Sequence, residues 1–193
     1  MEYEFLGGNL ALDFANTVHD HGAEDPGDDL TSAAEWVEWA AQARLLSSAE
    51  AREVRRSVNE LPFRRALRLR ELLYAIFHAA AGEKKSDPAS LREFQAWYRE
   101  TLRQMEIRPA GSHYQLAWPA TMKPLDRVLH EIVRSAGELL TSDALTRVRQ
   151  CSGESCSWLF VDTSRNGLRR WCDMKACGNR DKVRRFRRKV GRG

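Results

Sequence analysis

The four cysteines of this 193-residue chain constrain it more than any other feature. They are Cys151, Cys156, Cys172 and Cys177, spaced C-x4-C-x15-C-x4-C in the last quarter of the sequence. Two pairs of soft thiolates, each supplied by one tight local structure, suit tetrahedral zinc. The intervening "SWLFVDTSRNGLRRW" offers an apolar run, Trp158–Val161, and an Asn166-Gly167 turn signal, so it is expected to form a hairpin that returns to the metal. Cys177 opens the last predicted helix, where free N–H groups favour a thiolate. A segment too small for its own core is then folded by its metal bonds. The same side chains could instead form two disulfides or hold an iron–sulfur cluster. The start, "MEYEFLGGNLALDF", has Glu2 and Glu4 where an export signal needs bases; this weighs against disulfides and predicts a cytoplasmic protein. Four cysteine ligands leave no open position, so the expected cofactor is one structural zinc ion.

The charge is divided unevenly. Residues 147–193 hold 14 Lys and Arg against four acids, a net +10, while the remaining 146 residues carry 17 bases and 23 acids, a net −6. Such a split predicts two modules with different partners, residues 1–145 and 146–193. No stretch of about 18 apolar residues exists to span a membrane.

Residues 1–145 read mostly as helices. Ser32 with Glu35, and Ser47 with Glu50, are capping-box pairs. "RRALRLRELLYAIFHAAAG" places Ala66, Leu69, Leu72, Leu73, Ile76, Phe77 and Ala80 on one stripe. Asp87 with Pro88 starts a fourth helix, and "KPLDRVLHEIVRSAGELL" makes a fifth. "MEIRPAGSHYQLAWP" alternates about a turn and predicts a hairpin over Ile107–Trp118. His19 and His21 sit in the polar "HDHGAEDPGDDL", read as a solvated acidic loop. The fold class is therefore mainly α: a helical domain with a short β-hairpin, then a small four-cysteine module made of a hairpin and a basic helix.

In "CGNRDKVRRFRRKV", Val183, Phe186 and Val190 form a narrow apolar stripe able to dock on the zinc module. The candidate nucleic-acid contacts are Arg169, Arg170, Arg180, Lys182, Arg184, Arg185, Arg187, Arg188 and Lys189. Arginine offers a bidentate fork to phosphates and guanine edges. Zinc with four thiolates carries net −2, which leaves the loaded segment near +8, and double-stranded DNA is the expected partner. RNA, an acidic protein surface and a redox-sensing zinc thiolate remain alternatives. Trp171 either caps the metal site or stacks on a base.

"RVRQCSGESCSWLFVDTSRNGLRRWCDMKACGNRDKVRRFRRK" (Arg147–Lys189) resembles the CGNR zinc-finger family of bacterial proteins, with the namesake motif at Cys177–Arg180. "GGNLALDFANT" (Gly7–Thr17) is similar to the helical domain that usually precedes that finger. The resemblance implies zinc ligands at Cys151, Cys156, Cys172 and Cys177, and a stress-related transcription regulator.

In "GGNLALDFANTVHDH", Asn9, Asp13, Asn16 and Thr17 could converge on a pocket for a small-molecule effector, or could satisfy buried backbone groups. A homodimer through the helical domain is a further expectation. No G-x-S-x-G, P-loop, dinucleotide fingerprint or H-E-x-x-H is present, and the chain is not expected to be an enzyme.

Overall fold

A computed structural model describes residues 2–57 and 60–190, with the side chains of 2–56 and 60–188. The order is α1 (Leu10–Ala15), α2 (Ala33–Gln42), α3 (Ser48–Ser57), α4 (Glu60–Ala81), α5 (Pro88–Gln104), β1 (Glu106–Ala110), β2 (His113–Ala117), α6 (Pro124–Leu140), β3 (Val148–Gln150), β4 (Leu159–Val161) and α7 (Asn179–Val190). A 3-10 turn, Asp143–Arg147, leads into β3, and a π-helical turn, Met174–Gly178, leads into α7.

The helix starts follow their capping chemistry. Ser47 Oγ accepts from Glu50 N–H and the Glu50 carboxylate accepts from Ser47 N–H, a closed capping box. At α2, Ser32 Oγ accepts from Glu35 N–H, while the Glu35 carboxylate reaches back one residue further, to Thr31. Asp87 caps α5 by accepting from Ser90 N–H at 2.9 Å, with Pro88 in the first turn.

The core is built around the short α1, which packs against both α4 and α6. Leu12, Phe14, Trp36, Trp39, Leu69, Leu73, Ile76, Phe77, Leu129 and Ile132 are fully buried. Arg70, on the buried face of α4, grips Asp28 with two hydrogen bonds of 2.7 Å. That fork secures the loop after α1, which is also closed by the Val18–Asp28 bridge.

The β1–β2 hairpin forms where alternation predicts it, with Ile107 opposite Leu116. The second hairpin differs from the expectation for residues 157–171. β4 pairs antiparallel with β3, so the hairpin closes around the first cysteine pair, not between the two pairs. Backbone pairing needs a second strand, and β3 supplies it. Residues 162–169 instead form a turn organised by buried Asp162, which accepts from Ser164 N–H (2.8 Å) and Arg169 N–H (2.9 Å). The Asn166-Gly167 signal lies inside this turn, with Gly167 at φ +66°.

β4 is buried on both faces, and strand alternation assigns the faces. Leu159 and Val161 join Val148 in the helical core. Trp158 and Phe160 point the other way and pack with Cys151, Cys172 and Cys177. The four-cysteine segment thus shares one strand with the helical core.

Candidate metal centre and basic helix

Each cysteine is placed by a separate local device. Cys151 follows β3 and its N–H donates to Trp158 C=O at 2.8 Å, which closes a loop that carries Cys156. Ser152 N–H donates to Arg170 C=O at 2.8 Å and draws the 170–172 segment beside that loop. Cys177 lies two residues before the start of α7, in the π-helical turn that Asp173 caps by accepting from Ala176 N–H at 3.1 Å. Gly153 sits in close approach to the cluster: a Cβ there would lie 3.2 Å from Cys156 Cβ and 3.3 Å from Cys177 Sγ.

The four sulfurs lie within 4.8 Å of one another. Cys156 and Cys172 are 3.8 Å apart, and Cys172 and Cys177 are 3.6 Å apart. A tetrahedron with metal–sulfur bonds of about 2.3 Å has edges of about 3.8 Å, so these sulfurs match one zinc ion. The sulfurs are also dressed for negative charge. Cys151 Sγ accepts from Gly153 N–H and Cys172 N–H, both at 3.4 Å, and Cys177 Sγ accepts from the Arg180 guanidinium at 3.1 Å. Hydrogen bonds from the Cys156 and Cys172 thiols pull the Cys151 thiol well below the usual thiol range. The same shared bonds push Cys156 and Cys172 above it. Sulfurs this close cannot all ionise without a cation, and zinc supplies one. All four cysteines are free, and the cluster suits a zinc ion that holds two segments together.

The arginines divide by role. Arg169 is turned inward: its Nε–H donates to Trp171 C=O at 2.9 Å, another N–H donates to Cys172 C=O, and its guanidinium lies 4.3 Å over Phe160. It braces the metal loop. Arg184 is held by Asp181 at 2.8 Å and by Glu154, and Arg185 reaches Asp181 at 3.1 Å. Arg188 is 4.0 Å from Glu154. Arg170 is exposed, with its guanidinium 5.0 Å from the Trp171 ring, and Trp171 packs against the sulfur cluster. Lys182 and Arg187 are exposed. The Lys189 side chain lies outside the described residues. Glu154 was not legible as a partner of Arg184, because it is 30 positions away in sequence, whereas Asp181 stands at the i,i+3 spacing of a helical ion pair.

The apolar stripe of the last helix does not dock on the metal module. Val183 and Phe186 face outward, and among the described side chains of α7 the buried one is Asp181. Asp181 pairs with Arg184 and Arg185 of the same helix, and Arg184 carries the contact onward to Glu154 in the metal loop. The Val190 side chain lies outside the described residues.

The four polar residues near the N-terminus are each used by backbone. Asn9 caps α1 by accepting from Ala11 N–H at 2.9 Å. Asp13 accepts from Gly7 N–H at 2.7 Å, and burial raises its carboxyl to about 6. Thr17 Oγ donates to Phe14 C=O at 2.8 Å. Asn16 pairs with both polar groups of Leu159, donating to its C=O at 2.8 Å and accepting from its N–H at 2.7 Å. Three of these contacts stay within residues 7–17, and that of Asn16 reaches across to β4.

His21 departs from the solvated-loop expectation. Its ring stacks on Tyr74 at 3.3 Å and 6°, and its N–H donates to Ser157 Oγ at 2.8 Å. Burial lowers its pKa. Ser157 N–H donates to His19 C=O at 3.0 Å, so the loop after α1 packs directly beside Cys156. Only the partner, 136 positions away, makes His21 structural.

Residues 8–143 match the ABATE family, described as "Putative stress-induced transcription regulator". Residues 147–190 match the CGNR zinc finger. No curated protein matches the chain.

Proposed function

The chain belongs to the ABATE family and carries a CGNR zinc finger, and on that premise we propose that it regulates transcription by binding double-stranded DNA through α7. In this reading residues 146–193 are the DNA-contacting module. Residues 1–145 take an effector or a second copy of the chain, in the cytoplasm.

The observation that carries the reading is the placement of α7. A four-sulfur zinc site and the Asp181–Arg184–Glu154 contacts hold the helix at the surface. Its cations Lys182, Arg185, Arg187 and Arg188 face solvent. A rigid helix with one sign of charge fits a groove lined by phosphates. Zinc here orients and folds, while the side chains of α7 make the contacts.

Fluorescence anisotropy of zinc-loaded protein on a labelled mixed-sequence duplex tests it. If 6–10 phosphates are engaged, affinity falls by about 10³–10⁵ between about 50 and 200 mM salt. Lys182→Ala with Arg187→Ala should lower the log–log salt slope by about 2 and leave zinc content unchanged. No binding at low salt overturns the proposal, and tighter binding to structured RNA at matched salt redirects it.

A further inference from the structure

The residues of α7 fall into strips around its axis. Successive residues advance by about 100°, so Asp181 and Val183 lie on opposite sides of the helix. The Asp181 side faces the metal loop, where Arg184 bridges Asp181 and Glu154. The opposite side carries Asn179, Val183 and Phe186, spaced by four and then three residues, which makes one ridge. Val183 is 49% exposed and Phe186 is 67% exposed. A groove of about 650 Å³ runs beside the ridge, lined in part by Lys175, Asn179, Arg180, Val183 and Arg187. Arg187 flanks the ridge on one side and Lys182 on the other.

Phosphate contact does not account for this ridge. Phosphates take the flanking cations, whereas an exposed phenyl ring and an isopropyl group gain only by leaving water. The chemistry that fits all three ridge residues is the major-groove edge of A·T pairs. Thymine presents a 5-methyl group for apolar contact, and adenine presents a donor and an acceptor that a carboxamide can bind in bidentate fashion. Asn179 Nδ2 donates to Lys175 C=O at 3.0 Å, a bond that orients the amide and leaves Oδ1 and the second N–H for another partner.

We propose that Asn179, Val183 and Phe186 are the base-reading residues of this protein and select A·T pairs in the major groove, with Lys182 and Arg187 on the phosphates at either side. The inference rests on the DNA-binding reading above.

The test uses the zinc-loaded full chain on three labelled duplexes of equal length: one A·T-rich, the same duplex with deoxyuridine for every thymine, and one of G·C pairs. Deoxyuridine keeps the charge and the hydrogen-bonding groups and removes only the 5-methyl. The expected result is tighter binding to the thymine duplex, by about fourfold for each methyl that is buried. Val183→Ala with Phe186→Ala should abolish that preference while zinc content and salt slope stay unchanged. Asn179→Ala should weaken binding to the A·T duplex by about tenfold and leave the G·C duplex unaffected. Equal affinity for the thymine and deoxyuridine duplexes overturns the inference and leaves DNA binding standing. Absence of binding to any duplex at low salt overturns both. Phe186-dependent binding to anionic phosphatidylglycerol vesicles without a thymine preference overturns it in favour of a membrane surface.

Discussion

The carboxamide of Asn16 pairs with both backbone polar groups of Leu159, accepting from its N–H at 2.7 Å and donating to its C=O at 2.8 Å. A side chain at the end of α1 thus acts as a strand partner for β4, across 143 positions of sequence. Asn16 is buried, so no water can replace it. Asn16→Ala leaves two buried backbone groups unpaired and should cost about 2–3 kcal/mol in urea unfolding. Asn16→Asp should also destabilise, since a carboxylate cannot donate to Leu159 C=O. A loss of stability under 0.5 kcal/mol in both variants would contradict this role.

Removal of zinc should loosen one face of β4 and spare the other. Leu159 and Val161 are held by the helical core, whereas Trp158 and Phe160 pack on the cysteines. With a chelator, or in Cys172→Ser, hydrogen exchange should rise over residues 151–157 and 170–190 while α4 and α6 stay protected. Retention of stoichiometric zinc in Cys172→Ser would refute its place as a ligand.

Asp13 should make stability depend on pH in the unusual direction. Burial raises its folded-state value from 3.8 to about 6. Between those values the unfolded chain gives up a proton that the folded chain retains, so this group's contribution falls as pH rises from about 4 to 6. The cost at neutral pH is on the order of 3 kcal/mol. Asp13→Asn keeps an acceptor for Gly7 N–H, and should flatten that fall and raise the neutral-pH melting temperature. An unchanged pH profile would contradict the assignment.

Arg70 should be indispensable despite its distance from the metal. Its guanidinium is buried and forks onto Asp28 with two 2.7 Å bonds. Arg70→Ala leaves Asp28, which solvent reaches, with the Leu30 N–H bond alone of these contacts, and should cost about 2 kcal/mol. Arg70→Lys should recover little of it, because an ammonium cannot reproduce the fork. Thermal unfolding of both variants checks this.

Much of the fold was legible because it depends on near neighbours in sequence. Capping pairs such as Ser47 with Glu50 sit three residues apart, and the stripe of α4 repeats every turn. The β1–β2 hairpin needs only alternation about a tight turn. The cysteine cluster was legible because tetrahedral zinc takes four ligands and the four cysteines fall in two evenly spaced pairs. The turn at 162–169 was less so: Asn-Gly signals a turn, but the pairing of β3 with β4 depends on which strand lies adjacent.

The sequence by itself determined α2 to α7, the cysteine cluster and the concentration of positive charge at one end, since each follows from residue type at short spacing, whereas the six-residue α1 is too short to show a helical repeat. Tertiary structure alone decided how those charges are used. Arg169 and Arg184 were indistinguishable from Lys182 and Arg187 in the sequence, yet the first two are held by Cys172 C=O, Asp181 and Glu154, while the others face solvent. The same holds for Asn16, whose partner Leu159 only the packing of β4 against α1 brings within reach. A polar side chain takes its role from the groups that folding places within about 3 Å of it, and Glu154 for Arg184 and Leu159 for Asn16 come from distant parts of the chain.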